Sequence, residues 1–109
     1  MTTSWGTLTI GSAPVRISAT WLGCCKLSFQ VAPGDKGSVK IGGPGLTSDT
    51  TTPGTYLDPA NGVNADGSPQ SGGLWSVQSY QDCNTIDVAG YYVHGTHVGD
   101  MVFYEYHQN

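Results

Sequence analysis

The stretch from Cys24 to Ala32 reads CCKLSFQVA. Cys25, Leu27, Phe29 and Val31 alternate with Cys24, Lys26, Ser28 and Gln30. Successive side chains of an extended strand point to opposite faces, so this alternation predicts a strand with one face buried and one wet. The same period extends in both directions. Upstream, Leu8 and Ile10 alternate with Thr7 and Thr9, and Val15 and Ile17 with Arg16 and Ser18. Downstream, Val39 and Ile41 flank Lys40, Trp75 and Val77 flank Ser76, and Ile86 and Val88 flank Asp87. In DMVFYEY, Met101, Phe103 and Glu105 share one phase and Val102, Tyr104 and Tyr106 the other. The second set is expected inward, because an unpaired Glu105 is costly to bury.

No segment carries a helical period over ten or more residues. Turn signals punctuate the runs: GSAP, APGDKG, GGPG, TPG, NADGSP, AG and HVGD. Short strands with regular turns predict an all-β sandwich or barrel, and of the two a single antiparallel β-sandwich of seven to eight strands is the expectation. At 109 residues one domain is expected. Residues 1–6 precede the first alternating run and read as an N-terminal arm.

Composition narrows the function classes. Charged residues make up 11% of the chain and the formal net charge is −4. Phosphate binding needs a basic patch, and Arg16, Lys26, Lys36 and Lys40 are few and scattered, so nucleic acid is not an expected partner. No apolar run approaches the 18 or so residues of a membrane span, so no membrane partner is expected. The opening MTTSWGTLTI lacks a basic segment followed by an apolar one, so no signal peptide is expected. Cys24, Cys25 and Cys83 are odd in number and two are adjacent, which favours reduced thiols. A bridge from Cys83 to Cys24 or Cys25 is the alternative.

Chemistry-bearing groups are sparse. His94, His97 and Asp100 are spaced H-x-x-H-x-x-D, a donor set that suits zinc. A spacing of three sends strand side chains to opposite faces, so polar turn residues are the expectation and no metal is assigned. NGVNADGS matches the middle of a calcium loop at Asn64, Asp66 and Gly67, but Gly62 stands where the first ligand belongs. An Asx-turn pair is the expected reading, and no calcium is assigned. GGPG lacks the spacing of a phosphate-cradling loop. No basic cluster activates the cysteines. The expectation is no catalytic residue, no cofactor and no enzyme. The rings of Trp5, Trp21, Trp75, Tyr91, Tyr92, Tyr104 and Tyr106 are expected in a core or subunit interface, with a glycan platform as the alternative.

One segment is long and irregular, from Gly42 to about Gly73, with a short strand expected at TYLD. Loops beyond about 15 residues are uncommon in compact domains and are usually functional or disordered. Its few large apolar groups cannot support a core of their own. Residues 42–73 are therefore expected to be a contact loop, with Tyr56, Leu57 and Val63 as its anchors.

The order of the pieces resembles a group of short bacteriophage virion proteins. LTIGSAPVRIS is followed by CCKLSFQVAPGDKGSVKIGGPGLTS, then NTIDVAG, then GDMVFYEY. The match falls on Ala32 and Pro33, Val39 to Gly43, Ile86 to Ala89, and Gly99 to Tyr104. It covers most of the chain except about residues 58–73 and 91–97, which look like insertions. The resemblance implies a jelly-roll-like sandwich on a virion, without catalysis. It implies a capsid decoration or cement protein whose partners are the major capsid protein and further copies of itself, as a dimer or trimer. The alternative within the group is a tail or fibre module, here one that binds host-surface glycan. Either would be assembled in the host cytoplasm.

Overall fold

Most of the alternating runs form strands, but the run at Val15 and Ile17 makes only an isolated bridge, Val15 opposite Val93. A computed structural model describes residues 2–47, 54–58, 66, 72–79 and 85–108. Nine strands lie among them: β1 (Thr2–Thr9), β2 (Gly23–Cys24), β3 (Lys26–Val31), β4 (Val39–Gly42), β5 (Thr55–Leu57), β6 (Leu74–Gln78), β7 (Ile86–Asp87), β8 (Tyr92–Gly95) and β9 (Met101–Gln108). The described residues contain no α-helix, and no helix long and apolar enough to cross a membrane. The protein is all-β. Its strands make a four-stranded sheet in the order β1-β9-β3-β6, a three-stranded sheet β5-β4-β8, and a β2-β7 pair, every pairing antiparallel.

All three sheets contribute to one core. Leu27, Phe29, Val31 and Val102 come from the four-stranded sheet, and Val39, Ile41, Leu57 and Val93 from the three-stranded sheet. Cys24 and Ile86 come from the short pair. Val102 is fully buried, Tyr104 and Tyr106 pack against the cluster, and Met101 and Phe103 are exposed, so the inward phase expected for β9 is the observed one. One row of register partners crosses the inner face from Gly6 to Tyr104, Phe29 and Trp75. Gly6 is required there, because a Cβ would sit 2.5 Å from the Tyr104 hydroxyl.

Three expectations are corrected. Residues 2–6 are no arm: they are the first half of β1, which pairs with β9 along its whole length, Thr2 opposite Gln108 through Thr9 opposite Met101. The run from Cys24 to Val31 is also not one strand. The chain leaves the β2-β7 pair and enters the large sheet at Cys25, so Cys24 and Cys25 are both buried. The Cys25 amide and thiol both donate to the His107 carbonyl, at 2.8 and 3.1 Å. Cys83 lies outside the described residues.

Lys40 is the third correction. Period two places it on the wet face of β4, yet it is 1% exposed. β4 is the central strand of its sheet, with Tyr56 and His94 as register partners of Lys40. The Tyr56 ring lies over the ammonium at 5.3 Å, a cation–π arrangement. Gly54 closes over the aliphatic stem, where a Cβ would come 2.5 Å from Cε. A lysine stem can be covered by apolar surface while its head keeps polar company.

Two of the three crossovers between the large sheets are tied together. The turn after β3 leads to β4, and the turn after β8 leads back to β9. The Asp100 carboxylate accepts from the Lys36 amide at 3.0 and 3.1 Å and from the Gly37 amide at 2.8 Å. Reciprocally, Asp35 Oδ1 accepts from the Met101 amide at 2.9 Å. Asp35 is buried and its Oδ2 finds no partner. Burial, helped by the Asp100 charge, holds the Asp35 carboxyl above its ordinary 3.8 despite the Met101 amide. A folded value above the unfolded one favours the protonated acid in the fold. The contribution of Asp35 to stability is thus full below the ordinary value and is lost as pH rises through the raised one. Asp35→Asn removes that titration. Urea midpoints should show the variant gaining on the parent between about pH 4 and pH 7. A constant difference across that range would mean that Asp35 titrates normally.

Candidate contact surface

The outer face of the four-stranded sheet follows from the same alternation that fills the core. Register partners place Trp5, Glu105, Ser28 and Ser76 in one row across the four strands. Thr7, Phe103, Gln30 and Leu74 form the next row. All of these residues except Ser76 line a groove of about 470 Å³. Trp5 is 74% exposed, Leu74 63%, Met101 42% and Phe103 40%. Single exposed apolar side chains are ordinary, but several on one sheet face mark a contact site.

The polar members of the face are held in place. Glu105 Oε1 lies 2.7 Å from His107 Nε2, and His107 Nδ1 lies 3.1 Å from the Thr3 hydroxyl. This chain of contacts joins β1 to β9 and fixes the carboxylate beside the indole of Trp5. The groove therefore combines an exposed indole, an exposed phenyl ring, a carboxylate and the Gln30 amide.

The anchors expected in the long loop are placed differently from one another. Tyr56 is 38% exposed on β5 and packs over Lys40. Leu57 is buried in the core cluster, because it faces inward beside Val39, so it offers no outward surface in this chain. Val63 lies outside the described residues, as does most of the segment 42–73. The short strand expected at TYLD is β5.

The other sequence signals do not converge on a site. His97 Nδ1 lies 3.4 Å from Asp100 Oδ1, so these two meet in the turn before β9. His94 instead stands on β8 opposite Lys40, with Nδ1 buried and unpartnered. Among the described residues no three His, Cys, Asp or Glu side chains form a metal-binding group. The calcium-like stretch is outside the described residues apart from Asp66, which is exposed in a turn.

The aromatic residues divide between core and surface. Trp75 packs against Phe29 at 5.8 Å and Tyr91 at 5.2 Å, and Tyr104 stacks on Tyr106 at 6.2 Å, all against the core. Burial raises the Tyr91 phenol above its usual range. Tyr92 is half-buried with Arg16 over its ring at 5.0 Å. Trp5 and Trp21 are exposed. Sequence reasoning missed the contact face because its members come from four strands distant in the chain. The available signal was the outward phase of β9, which leaves Met101 and Phe103 with no core to join. Comparison with known protein families, with curated proteins and with solved structures finds no match to this chain.

Proposed function

We propose that the protein is a non-enzymatic virion structural protein, a capsid decoration or cement protein that binds the outer surface of a phage head. The observation that carries this reading is the outer face of the four-stranded sheet, where Trp5, Leu74, Met101 and Phe103 stand exposed together. The sequence resemblance supplies the class of partner. In this reading the strands make a jelly-roll-like sandwich, one sheet turned to the core and its outer face turned to the major capsid protein. Each copy meets a repeated lattice, so modest contacts act together.

The test is co-sedimentation with capsids of the phage whose genome encodes the chain. Binding should saturate at a fixed copy number per lattice site. Phe103→Asp places a charge in the centre of the face and should weaken binding by tenfold or more, about 1.4 kcal/mol. Undiminished binding of that variant would remove this face from the function.

A second reading is a tail or fibre module for host-surface glycan. The groove favours it, because an exposed indole beside the Glu105 carboxylate and the Gln30 amide offers both a stacking face and hydroxyl partners. Retention on host envelope material, with no capsid binding, would decide for it.

A further inference from the structure

β1 ends the four-stranded sheet, and nothing among the described residues pairs with its outer side. The eight residues TTSWGTLT contain no charge and no proline, and β1 pairs with β9 without a bulge. Proteins normally protect such an edge with charges, proline or bulges. The other edges differ. β5 has three residues and β6 five, and β8 is covered by Val15, which exchanges two main-chain hydrogen bonds with Val93. β1 alone is long, neutral and open among them.

The direction of its free groups can be read from its end. The Ile10 amide donates to the Asp100 carbonyl at 2.8 Å, and the Gly99 amide donates to the Ile10 carbonyl at 2.9 Å. The main chain of Ile10 thus points toward β9. Alternate residues of an antiparallel strand direct their amides and carbonyls to opposite edges. Ser4, Gly6 and Leu8 therefore serve the β1-β9 ladder, and Thr3, Trp5, Thr7 and Thr9 point to the open edge.

We propose that the occupant of this edge is the β1 strand of a second copy, paired antiparallel about a two-fold axis at Gly6. An isologous pairing must set outward residues opposite outward residues. An axis at Gly6 aligns Thr3 with Thr9 of the second copy and Trp5 with its Thr7, each with its symmetry mate. These four pairs use every free amide and carbonyl of Thr3, Trp5, Thr7 and Thr9. Moving the axis to Trp5 or Thr7 leaves part of the set unpaired. The chain carries a net charge of −4, but β1 brings no charged side chain to the axis. Trp5 opposite Thr7 is a favourable aromatic and β-branched cross-strand pair. The pairing also changes the groove. Thr7 is the register partner of Phe103, so Trp5 of one copy extends the Thr7, Phe103, Gln30, Leu74 row of the other. Two grooves become one surface across eight strands. The inference stands whether the ligand of that surface is a capsid or a glycan.

Sedimentation velocity over a wide concentration series should show a reversible dimer. Thr7→Pro removes an edge donor and spares the ladder to β9, so it should give a folded monomer by circular dichroism. Amide exchange supplies a readout that survives a poorly folding variant. In concentrated parent protein the amides of Thr3, Trp5, Thr7 and Thr9 should be protected, and dilution should expose them while Ser4, Gly6 and Leu8 stay protected. A parent that is monomeric at every concentration overturns the proposal. So does a dimer in which those four amides exchange freely.

Discussion

Phe29→Ala should destabilise the protein by about 4 kcal/mol, the usual cost of deleting a buried phenylalanine ring and leaving a cavity. For a chain of about a hundred residues that corresponds to a fall in melting temperature of roughly 15–20 °C. The size of the effect follows from where the ring sits. Phe29 is fully buried on β3, between β9 and β6. Its register partners are Tyr104 and Trp75, and the Trp75 ring lies 5.8 Å from its own. The opposite wall comes from the other sheets, so a vacancy here borders several elements that cannot all close in. Domains of this size hold about 5–15 kcal/mol in total, so the variant would keep only part of its stability.

Phe103 offers the control. It lies on β9, which pairs with β3, but on the outer face, and it is 40% exposed. Phe103→Ala should cost less than about 1 kcal/mol, the range of a cross-strand pair rather than of a core ring. Urea unfolding of both variants separates the two faces of the sheet. If Phe29→Ala cost no more than Phe103→Ala, the assignment of inner and outer faces would be wrong. The comparison also matters for function, because it shows that the contact face can be altered without unfolding the protein.

Period two in the sequence was enough to find the inner residues of β3, β6 and β9, because each of these strands has one face on the core and one in water. It failed where that condition fails. At Cys24 the chain belongs to a different sheet from Lys26, so two neighbours are buried together. At Lys40 the wet face of β4 is covered by Tyr56 and Gly54, and nothing local in VKIG signals a cover that arrives from later in the chain. At Val88 the alternation runs into a 3-10 turn capped by Asp87, whose Oδ1 accepts from the Ala89 amide at 3.0 Å and the Leu22 amide at 3.1 Å. The contact face was hidden for a related reason. Trp5, Leu74 and Phe103 become neighbours only through the strand order β1-β9-β3-β6, which composition and period do not contain. Residues 2–6 lack the apolar alternation of a core strand because β1 is an edge strand and Gly6 gives its inward place to the Tyr104 ring.

Asp100→Ala should cost about 3 kcal/mol, nearly as much as a core deletion, although it removes only a carboxylate from a turn. Asp100 is 6% exposed and accepts from two main-chain amides, Lys36 and Gly37. Bonds to a charged acceptor contribute roughly 1.5–3 kcal/mol, and an amide left without an acceptor away from water carries its desolvation penalty as well. The position multiplies the effect. Lys36 and Gly37 lie in the crossover from β3 to β4, and Asp100 ends the crossover from β8 to β9, so the carboxylate joins two of the three passages between the two larger sheets. Two backbone bonds reinforce the same joint, from Ala32 to the Met101 carbonyl at 3.1 Å and from Thr96 to the Ser38 carbonyl at 3.2 Å. One compensation enters with the opposite sign. The Asp100 charge helps to raise the Asp35 carboxyl, so its removal lets Asp35 ionise more easily and recovers part of the loss at neutral pH. Asp100→Asn keeps one acceptor oxygen and should fall between the parent and the alanine variant. The decisive measurement is urea unfolding of Asp100→Ala in both the parent and the Asp35→Asn background. The loss should be larger in the Asp35→Asn background, where no acid remains to be relieved. Equal losses in the two backgrounds would show that the carboxylates act independently, and a loss below about 1 kcal/mol would show that Asp100 does not hold the crossovers together.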